Sequence, residues 1–369
     1  MNEMIEGFAT SESTERFAKN SSAHQENFRK IHDLTLSNIG VGTYLGDQNL
    51  ETDINQKNAI KKSILSGVNV IDTAINYRAQ KSERTVGKAV SELIDENKIT
   101  REEIFISTKN GYVTNDGEIK EDFMQYIIRE FGKTGIVKEG DISSQYNCMT
   151  VPFLEDQLNR SQKNLGLDCI DLMYLHNAVE GQPEMSHDKF ISNLKKVFEF
   201  YETKRKDGVI KFYGMATWEC FRAENNRPDF LSLTEVINLA TQVAGESHGF
   251  RFIQLPYNLH YDQAYMKKNQ PSNSSNMSIL ESALENNIGV FTSVPLMQGK
   301  LLEWIKNKKE FTHPLPSVNA LQFIRSTPGV LSPLIGHKTV EHVNENLEVL
   351  KIPPYSKNEF GILISNLVS

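Results

Sequence analysis

Short apolar, β-branched runs alternate with helix-like segments about eight times along this chain, and that alternation leaves few folds open. Strand signals stand at 36–43, 68–72, 104–109, 170–176, 210–216, 252–255, 289–293 and 330–335. Between them, apolar residues return at helical spacing over 59–65, 84–94, 153–165, 190–201, 231–243, 279–284 and 318–324, with a last helix over 340–350. Gly67, Gly166 and Gly208 stand where three of these helices should stop. Such an order builds either an open doubly wound sheet or a closed (β/α)8 barrel. The open sheet wants a glycine-rich turn after its first strand, whereas Gly40-Val41-Gly42 falls inside that strand. The expected fold is therefore an α/β TIM barrel, one domain over 28–369, preceded by a polar extension over 1–27.

Two stretches exceed the repeat. Residues 110–150 are too long for a βα loop, and long loops in compact domains tend to be lids or binding segments. A surface excursion packed on the barrel side is the alternative. Phe123, Met124, Tyr126, Ile127, Ile128 and Phe131 suggest a short helix within this insertion. Residues 265–277 are polar, with Pro271 and three serines, and are expected to form a mobile loop.

The formal net charge of −7 carries no basic excess, which argues against nucleic acid as the main partner. No apolar stretch nears the roughly 18 residues of a membrane span. The start of the chain is polar and shows no apolar signal-peptide core. Cys148, Cys169 and Cys220 stand apart with no CxxC pair, suggesting neither a disulfide framework nor a zinc site. A reducing, cytoplasmic setting is the default reading, and no oligomeric state can be read.

Four reactive side chains sit at or just past strand C-termini: Asp72, Tyr77, Lys109 and His176. In a barrel these ends converge on one mouth, so residues far apart in sequence can meet. A phenol has a reference pKa near 10 and needs help to exchange protons at neutral pH. An ammonium beside it favours the ionised form, and a carboxylate beyond the ammonium holds that charge in place. Asp72, Lys109 and Tyr77 would form such a chain, with His176 orienting a carbonyl oxygen. Singly, each has a plainer explanation: a turn cap, loop packing, a solvated amine, a satisfied core imidazole. Jointly they point to a tuned proton donor.

The segment 67–77, ending in Asp72 and Tyr77 and continued by Ser82, Glu83 and Gly87, resembles the Asp and Tyr motif of the aldo-keto reductase superfamily. Ile106-Ser107-Thr108-Lys109 and Leu172-Met173-Tyr174-Leu175-His176 resemble its Lys and His motifs, and the likeness runs from about Phe28 to Leu350. By this resemblance Tyr77 is the general acid/base, Asp72 and Lys109 tune it, and His176 positions the carbonyl. The family's usual activity is NADPH-dependent reduction of small carbonyl compounds, without a metal. Gly336-His337-Lys338-Thr339, with His342, Glu345 and Asn346, resembles its adenosine-phosphate motif, so Lys338 implies NADP(H) in preference to NAD(H). The resemblance assigns further cofactor contacts to Thr43, Thr217, Gln254, Ser293 and Leu296, and a substrate wall to Tyr44 and Trp218.

The nicotinamide end departs from the family pattern. Ala216 and Thr217 stand where many relatives carry Ser-Asn, and Ser293 and Val294 where many stack a Tyr and follow it with Ser. A lost ring stack is on the order of 1 kcal/mol, a several-fold loss of cofactor affinity unless Trp218 or Trp304 compensates. Three readings follow: a carbonyl reductase, an NADP-sensing regulatory or partner subunit, and a non-redox lyase or isomerase on the same fold.

Overall fold

The computed structural model describes residues 4–272 and 275–368. After α1 (Ser11–Asn20), strands β1 (Phe28–Ile31) and β2 (Leu34–Ser37) pair as an antiparallel hairpin. His32 and Asp33, both at positive φ, make its two-residue turn. The repeat then runs β3 (Gly40–Gly42), α2 (Leu50–Leu65), β4 (Val70–Asp72), α3 (Lys81–Asp95), β5 (Phe105–Asn110), α4 (Phe123–Ile127), α5 (Val151–Leu165), β6 (Ile170–His176), α6 (His187–Lys206) and β7 (Ile210–Ala216). It continues with α7 (Leu233–Ala244), β8 (Phe250–Pro256), α8 (Gln263–Met266), α9 (Ile279–Glu285), β9 (Gly289–Ser293), α10 (Leu302–Lys306), α11 (Pro316–Ser326), β10 (Val330–Gly336), α12 (Val340–Asn346) and α13 (Lys357–Val368). Strands β3 to β10 close into a parallel barrel, β10 pairing with β3.

The expected first strand over 36–43 is two strands. Leu34 and Leu36 turn into the barrel floor, where they join Phe105, Phe252 and Phe291 in the interior cluster. The side chain of Asn69 fixes the break: it accepts from the Ser37 N–H at 2.8 Å and donates to the Thr35 carbonyl at 3.0 Å. Both pieces are buried, so apolar pattern alone could not separate them. Above the floor, the rings of Phe105, Phe252 and Phe291 fill the barrel with centroids 5.5 to 6.0 Å apart. The interior is thus a packed plug, which leaves the strand C-termini as the open end.

Within 1–27, Ile5 bridges to Leu167, and α1 lies against β2, with Arg16 bonded to Glu103 at 3.1 Å. The insertion is rooted by a bridge between Tyr112 and Asn147. Its apolar residues Val113, Tyr126, Ile127, Phe131 and Val137 pack with Cys148 and with Phe153 of α5. Arg160 of α5 bonds both Glu130 and the Tyr126 hydroxyl. The apolar part of the insertion thus packs on the barrel side, while its polar flanks bond the rim: the Gly117 N–H donates to the Ala79 carbonyl at 2.9 Å and Asn147 Nδ2 to the His176 carbonyl at 3.1 Å, and Tyr112 at its root lines the barrel mouth. In the stretch 265–277, Gln270 bridges to Met277, while 273 and 274 lie outside the described residues. All three cysteines are buried free thiols. No described helix is long and apolar enough to cross a membrane.

Candidate active site

Asp72 ends β4, Lys109 lies in β5, and His176 ends β6, so three neighbouring strands deliver three of the four side chains to one end of the barrel. Tyr77 follows Asp72 through a tight turn whose positive-φ residues Arg78, Ala79 and Gln80 lead into α3. Arg78 holds that turn, bonding the Asp47 carbonyl at 2.9 Å and Gln56 at 2.8 Å and pairing with Asp53. The four groups meet. Lys109 Nζ pairs with Asp72 Oδ2 and donates to the Thr73 carbonyl at 2.7 Å. It also lies 4.6 Å from the Tyr77 ring centroid. The Tyr77 and His176 rings meet edge to face at 5.9 Å.

Asp72 is saturated from three sides, since Ser107 Oγ donates to Oδ1 at 2.8 Å and Gln254 Nε2 to the same oxygen at 2.9 Å. Lys109 is wholly buried, and removal from water holds its amine below the ordinary value while Asp72 opposes the shift. Burial, then the charge of Asp72, pushes the Tyr77 phenol well above its usual value, although its ring borders the cavity. That direction differs from the expectation of an ammonium favouring phenolate. Lys109 has its charge already met by Asp72 and by the Thr73 carbonyl, so desolvation dominates and the phenol stays protonated. Burial and the nearby Lys109 hold His176 well below the usual imidazole range, so the ring is neutral at pH 7. Its Nδ1 is buried without a partner.

A cavity of about 770 Å³ runs from these groups along the mouth to α12. Tyr44, Asp72, Tyr77, His176, Trp218 and Gln254 border it, as do Thr43, Thr217, Ser293, Leu296, Gly336, Lys338, His342 and Asn346. Lys109 sits beneath the wall. His337 does not line the cavity: its imidazole is buried, faces Ser63 of α2 at 3.3 Å, and is pushed down to about 3 by burial. Trp304 does not line it either; Lys308 covers its ring. Tyr112, Asn76 and Asn177 line the cavity although sequence reasoning passed over them. Tyr112 and Asn177 stand three and one residues past Lys109 and His176, so extending those motifs would have found them, while Asn76 lies inside the 67–77 segment and went unweighed beside Tyr77.

The cavity has features that suit a nicotinamide dinucleotide. Its volume lies within the range of small-molecule sites. At the inner end, Asn76 Oδ1 is buried with no hydrogen-bond partner and Thr217 Oγ1 has only the weak Cys220 thiol, so a carboxamide there would satisfy polar atoms that the chain leaves open. At the outer end, exposed Lys338 and His342 flank Thr339, whose hydroxyl caps α12. Between them the segment after β9 carries Val294, Met297 and Gln298 at positive φ. A β-branched residue in that region stores strain on the order of 1–3 kcal/mol, which tends to collect at ligand clamps. No aromatic side chain from this segment reaches the cavity. Among the described residues no cluster of His, Cys, Asp and Glu is arranged to hold a metal.

The sequence profile of the Aldo/keto reductase family matches residues 38–319. YtbE of Bacillus subtilis, an uncharacterized oxidoreductase, is 27% identical over 186 residues, 50% of this chain and 48% of that protein. An NADH-specific methylglyoxal reductase of Escherichia coli is 28% identical over 189 residues, 50% of this chain and 49% of that protein. The chain thus spans about half the length of these curated relatives. Among solved structures, an aldo/keto reductase of Klebsiella pneumoniae in complex with NADP and acetate superposes with a TM-score of 0.59 at 18% identity, covering 93% of this chain and 95% of that one. At that identity the likeness speaks for the barrel alone.

Proposed function

The chain belongs to the aldo/keto reductase family, and from that premise we propose that it is an NADP(H)-dependent reductase of small aldehydes or ketones. The observation carrying this reading is the meeting of Tyr77, Lys109, Asp72 and His176 at the inner end of a cavity whose outer end bears Lys338 and Asn346. A reduced nicotinamide, when bound, supplies the hydride. The protein's own part is the proton. Tyr77, held protonated by its surroundings, donates its O–H to the carbonyl oxygen as negative charge develops there. Neutral His176 can donate to the same oxygen and fix the carbonyl's orientation. The phenolate left behind lies beside the Lys109 ammonium, which Asp72 keeps charged and in place, until solvent returns the proton.

Lys338 offers positive charge for a 2′-phosphate and His342 a ring N–H donor, which supports NADP(H) over NAD(H); the NADH-specific relative marks this preference as one to be measured. Gln254, expected to meet the nicotinamide carboxamide, spends one amide N–H on Asp72 and keeps its carbonyl oxygen for that contact. The test is consumption of NADPH with a neutral aromatic aldehyde. Steady turnover, with NADH at least tenfold poorer and Lys338→Met closing that gap, is the expected result. A second reading, cofactor binding without turnover, draws on Ala216, Ser293 and Val294 at the nicotinamide end. NADPH binding with no consumption across an aldehyde panel would select it.

A further inference from the structure

Four residues past His176, Glu180 reaches across from the β6 loop to the loop that follows β7. Its Oε1 accepts the backbone N–H groups of Trp218, Glu219 and Cys220 at 3.0, 2.5 and 2.9 Å. Three successive N–H groups aimed at one atom make a concave anion site, and a carboxylate is the strongest side-chain acceptor for it. The same loop is gripped from its carbonyl side. Buried Arg222 donates to the Trp218 carbonyl from Nε at 3.1 Å and Nη2 at 2.6 Å, and its Nη1 is tied to Gln263 at 2.6 Å. Between these grips the Trp218 side chain stays 39% exposed, with its ring edge on Tyr261 and its surface on the cavity. The main chain is held on both faces, and where Cys220 and Phe221 of the same loop turn into the core, the indole is left standing on the cavity wall. Glu180 also lies near enough to Tyr112, which packs on His176, for its charge to add to burial in holding that phenol up.

We propose that Glu180 is a positioning residue for the carbonyl site: by collecting these three N–H groups it ties the His176 loop to the Trp218 loop and fixes the indole as the wall of the substrate end. This rests on reading the cavity as a carbonyl reductase site. Its consequence is a dependence on substrate bulk. A bicyclic aromatic aldehyde needs the fixed wall, whereas a small aliphatic aldehyde is held at its carbonyl by Tyr77 and His176 alone.

The experiment compares Glu180→Ala and Glu180→Leu, the second filling the side-chain space without an acceptor, with wild type and with Trp218→Ala. Amide hydrogen exchange over 218–220, which needs no turnover, should quicken at least about tenfold in both Glu180 variants. KM for naphthaldehyde should rise roughly tenfold with kcat within about threefold, KM for propanal should hold, and Trp218→Ala should give the same split. Glu180→Gln, which keeps one acceptor oxygen, should recover most of the exchange protection. Unchanged exchange in Glu180→Ala and Glu180→Leu overturns the proposal. So does failure of both to fold, because that would make Glu180 a general structural support. If wild type turns over no aldehyde while exchange still quickens, the reductase reading fails and the loop clamp stands.

Discussion

Asp72 and Lys109 are the pair on which the site is built, because neither is tolerable alone where it sits. Lys109 is completely buried, and its charge is met by the Asp72 carboxylate and one backbone carbonyl. Lys109→Met would leave Asp72 with only Ser107 and Gln254 as partners in a dry setting. Removing one member of such a pair is expected to cost about 3–5 kcal/mol, read by chemical denaturation, together with a fall in turnover of at least about a hundredfold. A variant as stable as wild type would show that Asp72 is better solvated than its contacts imply. At this scale the four reactive side chains could be picked out in the sequence, since Asp72, Lys109 and His176 stand at strand ends and Tyr77 five residues past one. What stayed hidden is contact across the barrel. Gln254 and Asp72 are 182 positions apart, and nothing local indicates that their side chains bond. His337 was similarly opaque: its motif places the backbone at the cavity end, while packing against Ser63 turns the ring inward.

Among the elements, the insertion separates the fold's needs from those of the site. Its length and its place directly after Lys109 suggested a lid or binding segment first and a decoration second, and periodicity could not say which neighbour its apolar residues would choose. They chose one another and α5. Phe131 sits at the centre, 5.2 Å from the Phe153 ring and 6.2 Å from that of Tyr126, with the Arg160 guanidinium over its face. Phe131→Ala is expected to loosen this cluster by about 3 kcal/mol or more, appearing as faster proteolytic nicking within 113–148. Turnover should stay within about threefold, because Tyr112 keeps its anchor through Asn147. A tenfold loss of turnover in an otherwise folded variant would instead make the insertion part of the site. The split first strand teaches the same lesson: the pattern finds buried strands, but an Asn side chain decides where one ends.

For the whole molecule, the barrel was legible because β-branched runs and helical periodicity alternate about eight times, interrupted by two long stretches, and the missing glycine-rich turn after the first strand favoured closure over an open sheet. Its dependence on pH follows from histidines that the fold keeps neutral. Burial holds His32 and His176 below the ordinary imidazole value, His248 at about 4 and His337 at about 3. The unfolded chain therefore takes up protons first as the pH drops through 6.5, so stability present above that pH is lost on acidification. For the fully buried His176 and His337 the slope is on the order of 1 kcal/mol per pH unit each. Asp53 and Asp116, held low by arginine and lysine partners, push in the same direction at more acid pH. Tm should fall steadily from about pH 7 to about pH 5; a flat or rising Tm would mean these rings are solvated. Most direct for the central claim is Tyr77→Phe, measured for NADPH binding by fluorescence and for carbonyl reduction in a single turnover. The account predicts unchanged binding with reduction slowed at least about a hundredfold. Reduction at the wild-type rate would place the proton donor elsewhere and contradict it.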